Sequence, residues 1–321
     1  LKVESILCID LNYSMMFLML LWQKHRLPQG RPICKGTIIM WGFFESNLIR
    51  LLYLSVTSVN DFIIIEANVM LKVQYCSDLH LEFPENKSFL DEHPIQANGD
   101  VLLMAGDIVP FAEMHKFESF FDKLSDQFKK VYWIPGNHEY YQRDIKDRSG
   151  SFIEEIRKNV YLLNNKEIEL EGFRLIFTSL WSKLSEENFD VFTQQWPDFN
   201  WIKNGDGNFT PDDYNQLYDE DISFLKNAMS REKEDVTTIV ITHHVPTFKN
   251  FPEKHKGSKL NEAFATELSD LIKDSAVDYW IHGHNHSNTD PFKIGETVML
   301  TNQLGYVKMG EHERFSQSKT I

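Results

Sequence analysis

From residue 70 onward the chain alternates short apolar runs with polar or glycine-containing turns. Residues 71–76, 101–105 and 131–134 are such runs, and each reads as a buried strand. Between the second and third, Met114, Phe117, Phe120, Phe121, Leu124 and Phe128 recur at steps of three, one and four, which marks one face of a helix. Residues 168–170 and 173–180 flank Glu171-Gly172, a hairpin turn signal. Two further buried strands, 236–242 and 277–282, are separated by a helical stretch over about 260–272, and 297–302 reads as a closing strand. Segment 181–235 is less regular, acidic and aromatic, with one helix expected over 211–229. It lies between two strands that carry candidate chemistry, so it reads as an insertion and a candidate lid. Alternating strands and helices with some hairpins predict an α/β fold of mixed sheets with helices outside them.

The first 69 residues have a different texture. Apolar runs at 15–22 and 62–65 are mixed with Arg and Lys in no sustained helical or strand period. The run at 13–22 is about half the roughly 20 residues a spanning helix needs, and Asp10 and Asn12 stand beside it. A signal peptide would have a basic start and a small-residue cleavage site, and neither is present. The expectation is therefore an atypical leader over 1–69, outside the native domain, with Met70 as the true start and a single domain over 70–321.

Charge and cysteine content narrow the function classes. The 321 residues carry a formal charge of −14, and the leader is nearly balanced, so the acidic bias belongs to the rest of the chain. That bias argues against a nucleic-acid or anionic-membrane partner, because like charge repels both before contact. Cys8, Cys34 and Cys76 show no paired spacing for a disulfide framework or a thiolate zinc site, and a reducing, cytoplasmic setting is expected.

Histidine carries the chemistry. Among 12 histidines, His80, His138, His243, His244, His282, His284 and His286 fall in short segments. In order these segments are Ser77-Asp78-Leu79-His80, Gly106-Asp107, Gly136-Asn137-His138-Glu139, Thr242-His243-His244 and Gly283-His284-Asn285-His286. Each follows an apolar run. In open α/β sheets ligands bind at the carboxyl ends of strands, so segments distant in sequence converge there. Imidazole and carboxylate donors without thiolate suit manganese, iron(II), zinc or nickel. Taken singly, Asp78 could merely cap a turn and Gly136-Asn137 could be one; five segments in order are harder to dismiss.

In that order the segments resemble the calcineurin-like metallophosphoesterase superfamily, whose pattern is Asp-x-His, Gly-Asp, Gly-Asn-His-Glu/Asp, a strand-end His and Gly-His-x-His. The resemblance spans about 70–303 and fills every position. It implies a four-layer αββα sandwich of two mixed sheets flanked by helices. It further implies two divalent metal ions, one on Asp78, His80 and His286, the other on Asn137, His243 and His284, with Asp107 bridging. The implied reaction is hydrolysis of a small or medium phosphate ester by attack of a metal-bridging hydroxide, with His138 contacting phosphate or protonating the leaving alcohol. His243 rather than His244 is expected to be the ligand, since adjacent strand residues point opposite ways and the family uses the first position. His244 is then left to a place behind the ligands or to substrate, Trp181 is a candidate substrate contact with core packing the alternative, and His282 is a strand residue or an outer donor rather than a ligand.

Departures from subfamily patterns prune the choices. Protein phosphatases of the superfamily carry arginines that clamp phosphate after Gly-Asp and before Gly-Asn-His. Here Gly106-Asp107 runs into Ile108-Val109-Pro110, and Pro135 precedes Gly136. Purple acid phosphatases have a tyrosine where Pro110 stands. A diester is favoured over a monoester, with a nuclease and a non-catalytic metal-binding scaffold as alternatives.

Overall fold

The computed structural model describes residues 71–231, 236–252 and 257–321, preceded by the backbone of five strands. Those strands, β1 (Lys2–Leu11), β2 (Ser14–Arg26), β3 (Pro32–Gly42), β4 (Leu52–Val59) and β5 (Phe62–Val69), pair antiparallel in sequence order. The hydrophobic pattern gave no strand period here, but pairing of consecutive strands rests on backbone hydrogen bonds rather than on an amphipathic repeat. How the side chains of 1–69 pack lies outside the described residues. The chain divides into two compact units, Leu1–Leu71 and Lys72–Ile321.

The second unit contains two large sheets. In the first, β6 (Val73–Cys76), β7 (Val101–Ala105), β8 (Lys130–Ile134), β9 (Phe152–Arg157) and β10 (Val160–Asn164) take the order β6-β7-β8-β10-β9. All neighbours are parallel except β9, which runs antiparallel at one edge. Parallel neighbours need crossovers, and α1 (Pro84–Glu92) and α2 (Glu118–Gln127) supply them. The second sheet joins β11 (Lys166–Leu170), β12 (Phe173–Thr178), β15 (Thr237–Thr242), β16 (Tyr279–Ile281), β18 (Thr297–Leu300) and β17 (Phe292–Ile294) in that order. Its inner strands are parallel, and β11 and β17 are antiparallel edges.

Side-chain alternation makes four layers. Trp133 and Met104 of the first sheet pack outward on Phe121 and Leu124 of α2, and the Trp133 and Phe121 rings stack at 5.3 Å. Ile176, Val240 and Trp280 of the second sheet pack outward on Leu225 of α5 (Pro211–Met229) and Ile272 of α7 (Ser269–Lys273). Between the sheets Tyr132 meets Phe177, with ring centroids 5.3 Å apart. The result is the expected pair of mixed sheets flanked by helices. Strands such as β7 and β12 are buried along their whole length, as a sheet covered on both faces requires.

One expectation is corrected. The helical stretch at 260–272 is two short helices, α6 (Asn261–Phe264) and α7, because Ala265 leaves the helix to bridge Val245. The insertion packs on the domain. Its α3 (Phe189–Gln195), α4 (Asp198–Trp201) and the hairpin of β13 (Lys203–Asn204) and β14 (Gly207–Asn208) are held by Phe192, Phe199, Ile202 and Phe209, all buried in the core of the first sheet. Its long helix α5 begins where Thr210 and Asp213 cap each other and Pro211 takes the first turn, a position that needs no N–H donor. Residues 232–235, at the end of the insertion, lie outside the described residues.

Candidate metal centre

The segments that follow β6, β7, β8, β15 and β16 converge at the carboxyl ends of the two sheets. Hydrogen bonds tie them to one another: Asp78 N–H donates to Gly106 O (2.9 Å), His80 N–H to Asp107 O (3.0 Å) and Gly283 N–H to His243 O (3.0 Å). Asp78, His80, Asp107, His284 and His286 all have φ between 47° and 76°. Such left-handed backbone costs a non-glycine residue roughly 1–2 kcal/mol and persists only where surroundings enforce it, as functional sites do. Gly136 and Gly283 allow the close approach, since a Cβ at Gly136 would overlap Asp107 and His243 and one at Gly283 would overlap Asp78.

Three donor groups result among the described residues, one of them His80, Glu82 and His138 and the other two sharing Asp107. Asp78, His80, Asp107 and His286 bring ligand atoms within 4.8 Å of one another, and so do Asp107, His243 and His284. Asn137 joins the second group, its Oδ1 lying 3.3 Å from His243 Nε2. Asp107 belongs to both. Its Oδ2 is 3.6 Å from His80 Nε2 and 3.4 Å from His243 Nε2, so one oxygen faces both histidine sets.

Each histidine of the two Asp107 groups is oriented by a partner on its other nitrogen. His243 Nδ1 donates to Ala105 O (2.9 Å), His284 Nε2 to Ala263 O (3.1 Å), His80 Nδ1 to Glu82 Oε1 (3.1 Å) and His286 Nδ1 to Glu311 Oε2 (2.8 Å). The remaining nitrogens meet in pairs, His80 Nε2 with His286 Nε2 and His243 Nε2 with His284 Nδ1, each at 3.0 Å. Two lone pairs at that distance repel unless a cation or proton lies between them. Outer partners that fix the tautomer in this way are a hallmark of metal-ligating imidazoles. Among the described residues no thiolate joins these groups, Cys76 being buried in the core. The donor set therefore fits two borderline divalent ions.

The electrostatics favour positive charge at both positions. Burial pushes Asp107 upward, but His243, His138 and His80 outweigh it and hold the carboxyl well below its usual range. Burial pushes His243 and His286 down, yet Asp107 lifts His243 to about 9, and Asp78 with Glu311 lifts His286 to about 10.

His138 lies beside the two Asp107 groups. Its Nδ1 is 3.0 Å from Glu82 Oε1 and its Nε2 is 3.3 Å from the Tyr306 hydroxyl. Burial disfavours its charged form, and the nearby carboxylates of Asp107, Glu82 and Asp198 more than compensate, raising its pKa. Glu139, next in the chain, accepts from Asp107 N–H, Ile108 N–H, Gly136 N–H and Trp133 Nε1. Burial and the charge of Asp107 push its carboxyl up to about 8. The four N–H donors around it oppose that rise and fix the side chain in place.

A cleft opens over the centre. Tyr141, Trp196 and Phe264 wall it near Asn137 and His284, and Tyr306 and Glu311 near His286. Among the described residues that line it there is neither Lys nor Arg. The insertion thus contributes Trp196, and beside it Asp198 accepts from Asn137 Nδ2 (2.8 Å), Tyr141 OH (2.9 Å) and Trp196 Nε1 (2.9 Å).

The structure brings Asp78, His80, Asp107, Asn137, His138, His243, His284 and His286 together. It does not bring Trp181 or His244 to the cleft. Trp181 is 2% exposed and packs against Tyr214 and His244. His244 is fully buried, and its ring lies tilted against that of His284 with centroids 4.3 Å apart. His282 is a buried residue at the end of β16. Sequence reasoning missed Glu82, Asp198, Tyr306 and Glu311. Of these only Glu82 had a signal, at two residues beyond His80.

Comparison with known proteins agrees with this geometry. The family profile of calcineurin-like phosphoesterases matches residues 71–288. A protein of Acanthamoeba polyphaga mimivirus, L509, is 32% identical over 269 residues, covering 75% of this chain and 92% of that one. The 3',5'-cyclic adenosine monophosphate phosphodiesterase CpdA of Haemophilus influenzae is 23% identical over 203 residues, 63% of this chain and 60% of its own length. Among solved structures, the phosphopantetheinyl hydrolase PptH of Mycobacterium tuberculosis superposes with a TM-score of 0.56 at 14% identity, covering 78% of this chain and 95% of that one.

Proposed function

Because the chain belongs to the calcineurin-like phosphoesterase family, we propose that its metal centre hydrolyses a small or medium phosphodiester with two divalent cations. The observation that carries the proposal is the shared oxygen Asp107 Oδ2, with oriented imidazole nitrogens on both sides of it. Asp78, His80 and His286 would hold one ion and Asn137, His243 and His284 the other. Bound there, the ions would activate water near neutral pH and neutralise the phosphoryl oxygens.

The chain's own groups supply the rest. His138 holds a proton at Nε2, directed toward the Tyr306 hydroxyl and the cleft, where a leaving alcohol can take it. Trp196, Phe264 and Tyr141 offer aromatic surface for the organic group that a diester has and a monoester lacks. No cleft-lining Lys or Arg is present among the described residues to grip the second charge of a monoester dianion. The similarity to a cyclic-nucleotide phosphodiesterase supports the same reading. The formal charge of −14 weighs against the nuclease alternative. Among the described residues no helix is long and apolar enough to cross a membrane.

The test compares bis-para-nitrophenyl phosphate with para-nitrophenyl phosphate in the presence of manganese. A higher kcat/KM for the diester is expected. A monoester preference of tenfold or more, about 1.4 kcal/mol of transition-state discrimination, would overturn the diesterase reading.

A further inference from the structure

Glu82 occupies a position that no ligand or catalytic assignment uses. It follows β6 in the turn before α1, where Leu81 N–H donates to Ile108 O (3.0 Å) and Phe83 N–H to His80 O (3.1 Å). These bonds fix the backbone on either side of it. Its side chain is 11% exposed, and a single oxygen, Oε1, lies 3.1 Å from His80 Nδ1 and 3.0 Å from His138 Nδ1. The two rings stand edge to face, 4.4 Å apart.

One carboxylate oxygen has two lone pairs, and here two imidazole N–H groups from different segments occupy both. The consequence for His80 is that Nε2 faces Asp107 and His286 with its lone pair. For His138 it is that Nε2 faces Tyr306 and the cleft. Turning or withdrawing Oε1 would release both rings together, although one belongs to the donor set and the other to proton transfer. We infer that Glu82 is a positioning residue that sets the metal-facing tautomer of His80 and the cleft-facing orientation of His138 through one shared oxygen. This rests on the roles given above to His80 and His138.

The experiment combines calorimetric manganese binding with kcat at saturating manganese on bis-para-nitrophenyl phosphate. The variants are Glu82→Ala, Glu82→Asp, Glu82→Gln, His138→Ala, and the first two again in the His138→Ala background. Glu82→Ala is expected to weaken one manganese site by about 10–100-fold, the usual cost of losing an outer partner of a ligand. It should also lower kcat by roughly tenfold or more, part of the range a positioned proton donor supplies. In the His138→Ala background the same change should cost less than about threefold in kcat, since groups acting as a unit are non-additive. His138→Ala alone should leave manganese affinity within about threefold of wild type. Glu82→Gln retains an oxygen that can accept from both rings, and its manganese affinity should recover to within about tenfold of wild type. Should the alanine variant not fold, Glu82→Asp carries the same cycle, because it keeps the charge but draws the oxygen out of reach of both rings. An equal kcat loss with and without His138, or manganese binding unchanged in Glu82→Ala or, where that variant does not fold, in Glu82→Asp, would overturn the inference. If the wild-type enzyme hydrolyses neither ester, the proposed function fails, and the binding arm alone still decides whether Glu82 orients His80.

Discussion

Asp107 accepts the backbone N–H of His138 through Oδ1 at 3.0 Å. That bond turns the other oxygen, Oδ2, toward His80 and His243 at once. The carboxylate is therefore the one side chain common to the donor groups of Asp78 and of His243. Asp107→Ala should lose both ions rather than one. Elemental analysis after manganese loading is the check, and close to two ions per chain in that variant would defeat the bridging assignment.

His138→Ala should keep both metals, since its side chain contacts Glu82 and Tyr306 rather than completing either Asp107 group. Turnover should fall by roughly 10²–10⁴, the usual contribution of a positioned proton donor. Collapse of metal content, or a rate within about threefold of wild type, would assign His138 a different role.

Much of this candidate centre was legible because its potential ligands sit in short motifs directly after apolar strands, and strand ends in open sheets face one crevice. The strand Val101–Ala105 and helix Pro211–Met229 could be bounded from their own turn and cap residues. Asp198 and Glu311 could not be found, because a single carboxylate has no pattern until the fold sets it against an imidazole or amide, whereas Glu82 had only its place two residues beyond His80 to mark it. Trp181 misled for a related reason. A tryptophan at a strand end can face a cleft or the core, and here it packs against Tyr214 and His244 in the core. The break between α6 and α7 likewise depends on Val245, distant in sequence.

Asp221 on α5 offers a stability test independent of metal. It accepts from Asn165 Nδ2 (2.8 Å) and Trp181 N–H (3.1 Å), but burial outweighs these bonds and raises its carboxyl to about 6. Between pH 3.8 and 6 the folded state binds the proton more tightly than the unfolded chain. Its contribution is therefore fully present below pH 3.8 and lost as pH rises through 6, about 3 kcal/mol in all. Denaturant unfolding of metal-free wild type and Asp221→Asn from pH 4 to 7 should show a shallower decline in the variant. Parallel curves would refute this origin.

The separation into units at Leu71 and Lys72 makes the leader testable. A chain starting at Met70 should melt cooperatively and retain its phosphoesterase rate, since every ligand and both large sheets come from later residues. Loss of solubility or of two-state melting on removal of 1–69 would show that those residues support the domain.

The most direct measurement of the central claim is diesterase rate against bound manganese, counted per chain, as the chelator-stripped protein is reloaded. The account predicts no turnover without metal and a rise that is complete only when two ions are bound. Full turnover with one ion, or with none, would contradict it.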